Sequence, residues 1–92
     1  MERNVLATAR FSAVSGDKQY TIVLELVPSG CFAYGNEHAV IYEVYDGDTL
    51  VSDSCFDARY DHRFDSEETF NINALDFVKD QVRDHFTVEK MA

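Results

Sequence analysis

Apolar and polar residues alternate in several runs within residues 4–27 and 38–64, which is typical of strands with one face in a core and the other in water. The alternation is most regular over residues 56–64, which read FDARYDHRF. About ten residues later the spacing changes to that of an amphipathic helix. The pattern therefore predicts a small sheet followed by one helix.

Turn signals divide the alternating region into four predicted strands. Gly16 marks the first turn, because glycine adopts a positive φ without steric cost. Pro28 ends the second strand, and Asp46-Gly47-Asp48 predicts a hairpin turn. The predicted strands cover residues 4–14, 19–27, 38–45 and 49–64.

The fourth strand has a predicted pairing and a predicted core face. A three-residue loop at residues 46–48 would place Val44 opposite Leu50. The side chains that then face the core are Leu50, Phe56, Ala58, Tyr60 and Phe64. Ser52 and Ser54 interrupt this face, which favours a β-bulge at that point.

The helix is predicted from about residue 73 to 87. Residues 65–68 break the preceding strand, and Asn71 or Asn73 is the expected N-cap. At 100° per residue, about half of the helix surface is apolar. The apolar set is Ala74, Leu75, Phe77, Val78, Val82, His85 and Phe86. Residues 88–92 are predicted to form a frayed tail.

Four strands followed by one helix predict a single α+β domain over residues 1–92. It would have a four-stranded antiparallel sheet, meander-like and built from two hairpins, with the C-terminal amphipathic helix packed on one face. We expect one core cluster of Phe11, Leu24, Tyr42, Phe56, Leu75, Val78 and Val82. The other face mixes apolar side chains, such as Ile41 and Tyr45, with charged ones, so it is either solvated or a contact surface.

Charge narrows the classes of partner. The chain has 17 acidic and 8 basic residues, a net charge of −9. Residues 1–45 hold five acids and three bases (net −2), whereas residues 46–92 hold twelve and five (net −7). An acidic surface repels nucleic acid and anionic membranes and attracts basic proteins.

The location predicted from the sequence is cytoplasmic. The chain has no stretch that resembles a signal peptide and no apolar run near the ~20 residues of a membrane span. Its two cysteines, Cys31 and Cys55, are expected to be free thiols in a reducing compartment.

A repeat that contains both cysteines raises the question of a zinc site. The order Val27, Cys31, Phe32, His38 recurs as Val51, Cys55, Phe56, His62 with the same spacing. On one strand, Cys55 and His62 would point to opposite faces and lie ~23 Å apart, so one ion could bind both only if the fourth strand broke between them. We predict no metal, no cofactor and no catalytic residues.

Aspartates recur at intervals of four, and we take these residues as the candidate partner-binding site. They are Asp53, Asp57, Asp61 and Asp65 on the predicted strand, and Asp76, Asp80 and Asp84 on the predicted helix. A step of four keeps one strand face, with charges ~13 Å apart. On a helix the same step gives a stripe with charges ~6 Å apart. Such a stripe is mildly destabilising, so stability alone does not favour it.

These observations predict a small, acidic, non-enzymatic protein-interaction module that docks on a basic partner through its acidic second half. An inhibitor of a nucleic-acid-binding protein, of the kind that phages and mobile elements encode, would have these features by analogy. The alternative is a structural subunit that forms a homodimer through the exposed sheet face. A further alternative is a small enzyme or ligand-binding domain that uses the 28–38 loop, with Cys31, Tyr34 and His38.

Overall fold

The computed structural model describes residues 5–27, 38–58 and 62–91. In it, one antiparallel sheet has five strands in the order β4-β3-β2-β1-β5. The strands are β1 (Ala7–Ser15), β2 (Lys18–Val27), β3 (Ala39–Asp46), β4 (Thr49–Asp57) and β5 (Thr87–Lys90). Between β4 and β5 lie a 3-10 helix (His62–Phe64), α1 (Glu67–Val82) and a second 3-10 helix (Arg83–His85). The predicted α+β class is confirmed, and the sheet has one strand more than predicted.

Two tight turns build the hairpins β1–β2 and β3–β4. Gly16 and Gly47 have φ values of 63° and 61°. Each is the first of two loop residues, because Ser15 pairs with Lys18 and Asp46 pairs with Thr49. Glycine at that position is typical of a type II′ turn, whose twist matches that of the strands. The second loop is therefore one residue shorter than predicted.

The shorter loop changes the pairing of β3 with β4. Val44 pairs with Ser52 and Tyr45 pairs with Leu50, so Val51 is an extra residue in β4. A bulge thus lies beside Ser52, as predicted. The prediction that Leu50 faces the core was wrong. Leu50 pairs with Tyr45, so both side chains lie on the same face of the sheet, and Leu50 is 45% exposed.

The predicted fourth strand does not extend through the described residues that follow Asp57. β4 ends at Asp57, residues 59–61 lie outside the described part of the chain, and residues 62–64 form a 3-10 helix. Ala58 and Phe64 are nevertheless buried, as predicted. Alternating apolar and polar residues show which side chains face the core. They do not by themselves show that the backbone is a strand. The predicted core position of Tyr60 lies outside the described residues.

The helix begins earlier than predicted, because Ser66 is its N-cap. The Thr69 N–H donates to Ser66 Oγ at 3.2 Å, and the Ser66 N–H donates to Thr69 Oγ1 at 3.0 Å. This reciprocal pair is a capping box with threonine in place of the usual glutamate. Glu67 and Glu68 occupy the first turn, where the helix dipole favours negative charge.

The helix also ends earlier than predicted. Arg83 has a φ of 55° and closes α1, so His85 lies outside the helix and is exposed. The chain then returns along the sheet as β5, in which Val88 pairs with Ala13 and is buried. The prediction of a frayed tail was wrong for residues 88–90. None of the helices in the described ranges is long and apolar enough to cross a membrane.

The predicted core is confirmed. Phe11, Leu24, Tyr42, Val78 and Val82 are buried in one cluster, and Phe56 and Leu75 pack against it partly buried. The helix packs mainly on β1, β2 and β5. Three alanines on the core face of β1, Ala7, Ala9 and Ala13, leave room for the larger side chains of α1.

A chain of aromatic rings joins β4 to the helix. The centroid distances are 6.5 Å for Tyr42–Phe56, 5.3 Å for Phe56–Phe77, 5.2 Å for Phe77–Phe64 and 6.0 Å for Phe64–Phe70. Pairs in this range contribute about 0.5–1.5 kcal/mol beyond their buried area. The Arg63 guanidinium lies 5.4 Å from the centroid of Phe64 and 5.5 Å from that of Phe77. These contacts fix the end of β4 and the following 3-10 helix against α1.

The orientation of α1 predicts unequal effects of two neighbouring substitutions. Val78 is 0% exposed, so Val78→Ala should lower the free energy of unfolding by about 2 kcal/mol through lost packing. The Asp80 side chain is 74% exposed, so Asp80→Ala should change it very little. Urea denaturation measures both, and comparable losses would show that the helix face is misassigned.

Candidate partner-binding surface

The seven aspartates of the candidate site do not form one surface. Asp53 and Asp57 lie on β4, Asp65 precedes α1, Asp76 and Asp80 lie on α1, and Asp84 lies in the second 3-10 helix. Asp61 lies outside the described residues. The structure brings Asp53 and Asp57 onto one strand face and separates them from the helical group.

The pairing of the strands shows which face carries the β4 aspartates. Leu24 pairs with Tyr42, and both lie in the core under the helix. Glu43 follows Tyr42 along β3 and pairs with Asp53 of β4. Because side chains alternate along strands, Asp53 lies on the sheet face opposite α1. The pairing of β3 with β4 thus places Asp53 and Asp57 on the sheet face away from the helix, as predicted.

The helical group has a mixed charge. Asp80 Oδ2 lies 3.9 Å from Arg63 Nη1, and Asp65 Oδ2 lies 3.1 Å from His62 Nδ1. Lys79 and Arg83 alternate with the aspartates along the same segment. Ion pairs this exposed contribute little to stability. They do reduce the local field, so this group is a solvated face with nearby compensating charge.

The β3–β4 hairpin, residues 39–57, has a different charge pattern, and we call it the acidic hairpin. It carries Glu43, Asp46, Asp48, Asp53 and Asp57, and the whole chain has no lysine or arginine between Lys18 and Arg59. Three of these carboxylates, on Glu43, Asp46 and Asp48, were missed by the sequence argument. Their spacing does not follow the four-residue interval, whereas the absence of lysine and arginine from residues 39–57 distinguishes this hairpin in the sequence.

The outer strand of the acidic hairpin is widely accessible. Every residue of β4 except Phe56 is exposed, including Leu50 at 45% and Val51 at 52%. In the described ranges, β4 is one edge of the sheet. Two apolar side chains thus lie among carboxylates at a free edge.

A groove on the outer sheet face continues this surface. It has a volume of about 400 Å³, and its lining includes the apolar residues Val23, Tyr45 and Met91, the acidic Asp48 and the basic Arg10. Tyr45 pairs with Leu50, so apolar surface extends from the groove to the tip of the acidic hairpin. This surface can accept apolar side chains from a partner as well as basic ones.

The residues of the enzymatic alternative are incompletely described. Cys31 and Tyr34 lie outside the described residues, and His38 is half-buried. Burial raises the pKa of Tyr42 above its usual value, so its hydroxyl stays neutral at physiological pH. Among the described residues, no group of three or more His, Cys, Asp or Glu side chains could hold a metal ion.

The state of Cys55 corrects the expectation of free thiols. Cys55 is disulfide-bonded. Cys31, the other cysteine in the sequence, lies outside the described residues. Sequence spacing does not reveal whether two cysteines pair, because pairing depends on their separation in the fold. A disulfide at Cys55 does not support a reducing compartment, because disulfides persist mainly in oxidising ones.

Comparisons with known proteins give no further identification. No family model, no curated protein and no solved structure matched the chain. The described fold is an α+β protein with a five-stranded antiparallel sheet and an acidic hairpin at one edge. Function has to be inferred from that surface and its charge.

The disulfide at Cys55 should contribute measurably to stability. Cross-links of this kind typically stabilise a small domain by about 2–4 kcal/mol, so dithiothreitol should lower the free energy of unfolding by that amount. Urea denaturation with and without the reductant measures the difference. The Cys55→Ser variant is the control, since the reductant should leave it unchanged. Identical wild-type curves under both conditions would contradict a stabilising disulfide.

Proposed function

We propose that this protein is a non-enzymatic binding module that docks on a basic protein through its acidic hairpin. The observation that supports the proposal most directly is the charge of residues 39–57, which include five carboxylates and no lysine or arginine. Of the predicted acidic second half, residues 46–92, only residues 46–57 belong to this docking surface, and Glu43 of the first half joins them. The helical aspartates are set aside because basic residues lie among them.

Charge and apolar surface would have separate roles in such a complex. The carboxylates of the acidic hairpin, on a protein of net charge −9, attract a basic partner over a Debye length of about 8 Å at physiological salt. That attraction raises the association rate more than the final affinity. Leu50 and Val51 supply contact area, because fully burying such a side chain contributes about 1.5–3 kcal/mol.

A basic nucleic-acid-binding protein is the partner class that fits best, since its binding surface is selected to attract anions. Occupation of that surface by the acidic hairpin would inhibit it. The cytoplasmic location remains a prediction from sequence, and the disulfide at Cys55 weighs against it because disulfides persist mainly in oxidising compartments. A homodimer through this hairpin is less favoured, because it would bring together two segments that each carry five carboxylates and no lysine or arginine.

Two matched triple variants test the proposal. Asp46→Asn, Asp48→Asn and Asp53→Asn change the acidic hairpin, whereas Asp76→Asn, Asp80→Asn and Asp84→Asn change the helical group. Each set removes three charges from the same net −9, so the two proteins differ only in where charge is lost. The partner is first captured from the native host and identified, and its affinity for each protein is then measured by surface plasmon resonance.

The hairpin variant should bind at least about tenfold more weakly, mostly through a slower association rate, and the helix variant should lose much less. Wild-type affinity should fall as salt approaches 1 M, where the Debye length is about 3 Å. An acidic partner, equal losses in both variants, or affinity unaffected by salt would each refute docking through the acidic hairpin.

A further inference from the structure

The groove on the outer sheet face has a floor and two walls, and the strand order explains both. Thr21 and Val23 of β2 form the floor, since β2 lies between β3 and β1. Arg10 pairs with Val23, and Tyr45 pairs with Thr21, so all four side chains share one face of the sheet. With neighbouring strands ~4.8 Å apart, β1 and β3 are ~10 Å apart. That width is too small for a helix of about 10–12 Å diameter to enter, but it admits a side chain.

The two walls of the groove carry opposite charges. Arg10 and Met91 lie on the β1 side, where the Met91 N–H donates to the Arg10 carbonyl oxygen at 2.9 Å. Tyr45 and Asp48 lie on the β3 side, and Asp48 belongs to the acidic hairpin. Arg10 and Asp48 are both exposed. An occupant therefore meets a cation on one side, an anion on the other, and apolar surface between them.

The size and lining of the groove fit an apolar anchor residue. Its volume of about 400 Å³ lies within the range of ~300–1,000 Å³ that is typical of ligand pockets, in which a few polar groups fix the orientation of an apolar ligand. Val23 on the floor is 8% exposed, whereas Met91 on the wall is 42% exposed. A bound apolar side chain would cover Met91 and contact Val23. Buried anchors of this kind provide much of the binding energy in protein interfaces.

Arg10 restricts which basic segments can use the groove. A lysine or arginine next to the anchor is attracted when it lies on the Asp48 side and repelled when it lies on the Arg10 side. Specificity commonly combines a favourable contact with the right partner and a repulsive contact with the wrong one. A segment with bases on both sides of its anchor should therefore bind less tightly than one with bases on one side.

We infer that the groove binds an apolar anchor side chain of the basic partner, with lysine or arginine only on the side of the anchor that faces Asp48. This inference rests on the proposed function and specifies the segment that the acidic hairpin recognises. The charge of residues 39–57 favours a basic partner, and the groove adjoins that hairpin through Asp48.

The test uses three blocked seven-residue peptides of identical composition, each with a central phenylalanine, two lysines, two serines and two glycines. Both lysines precede the phenylalanine in the first peptide, both follow it in the second, and one lies on each side in the third. The first two are compared because a bound segment can run in either direction along the groove. A version of each one-sided peptide has alanine in place of phenylalanine.

Each peptide is titrated at low salt into the full-length protein, and the dissociation constant is measured from NMR chemical shifts. Met91→Ser changes the groove, and Ile72→Ser is its control on α1, because both replace an exposed apolar side chain (42% and 69% exposed). Arg10→Gln removes the cation of the β1 wall. The triple hairpin variant, with asparagine in place of three aspartates, removes the carboxylates.

The better of the one-sided peptides should bind at least about threefold more tightly than the two-sided peptide, because the latter places one lysine near Arg10. Arg10→Gln should remove most of this difference. Alanine in place of phenylalanine should weaken binding at least about tenfold through lost apolar burial. Met91→Ser should weaken it at least about threefold, and Ile72→Ser should leave it unchanged. The largest shifts outside the acidic hairpin should occur at Thr21 and Val23.

Four other results would overturn the inference. Binding that is lost in the triple hairpin variant but unaffected by Met91→Ser and by the alanine peptide would leave the acidic hairpin as a docking surface and exclude the groove. Equal affinity of all three peptides, or a difference that persists in Arg10→Gln, would exclude selection by Arg10. Binding unaffected by the triple hairpin variant would contradict the proposed function as well. A dimer in sedimentation that Met91→Ser dissociates would identify a second copy as the occupant.

Discussion

The packing of α1 against β1, β2 and β5 determines which strand is left at the open edge. Phe77 and Val78 lie in the core beneath these strands, and β4 reaches that core through Phe56, whose ring lies 5.3 Å from Phe77. The remaining side chains of β4 are exposed. The fold therefore holds β4 at its C-terminal end, through the aromatic contacts of Phe56 and the disulfide at Cys55. The side chains nearer the hairpin tip are exposed.

The acidic residues of α1 and those of the acidic hairpin therefore differ in their surroundings. On α1, Glu67 and Glu68 lie in the first turn, where they complement the helix dipole, and Asp80 lies near Arg63. These carboxylates therefore lie beside positive charge that reduces their field. The carboxylates of Asp46, Asp48 and Asp53 have no ion pair with any described residue, and no base occurs nearby in the sequence. A binding role accounts for them more directly than stability does.

Periodicity predicted β1, β2, β3 and the core well, because each of these strands alternates against a continuous apolar layer. It failed where the same spacing of buried residues fits both a strand and another conformation. Phe64, for example, is buried but belongs to a 3-10 helix. Capping chemistry at Ser66 marked the true helix start, and β5 was too short for alternation to reveal it. Spacing of aspartates located part of the candidate surface. The acidic hairpin is distinguished by the absence of lysine and arginine, which the spacing of the aspartates does not reveal.

The most direct test of a docking surface on the acidic hairpin is an NMR titration with a short lysine homopeptide at low salt. Long-range attraction should concentrate this probe where carboxylates lack neighbouring bases. We expect the largest chemical-shift changes at residues 46–57 and much smaller ones along residues 76–84. The largest changes along α1, or changes spread evenly over both regions, would contradict the assignment of the binding surface to the acidic hairpin.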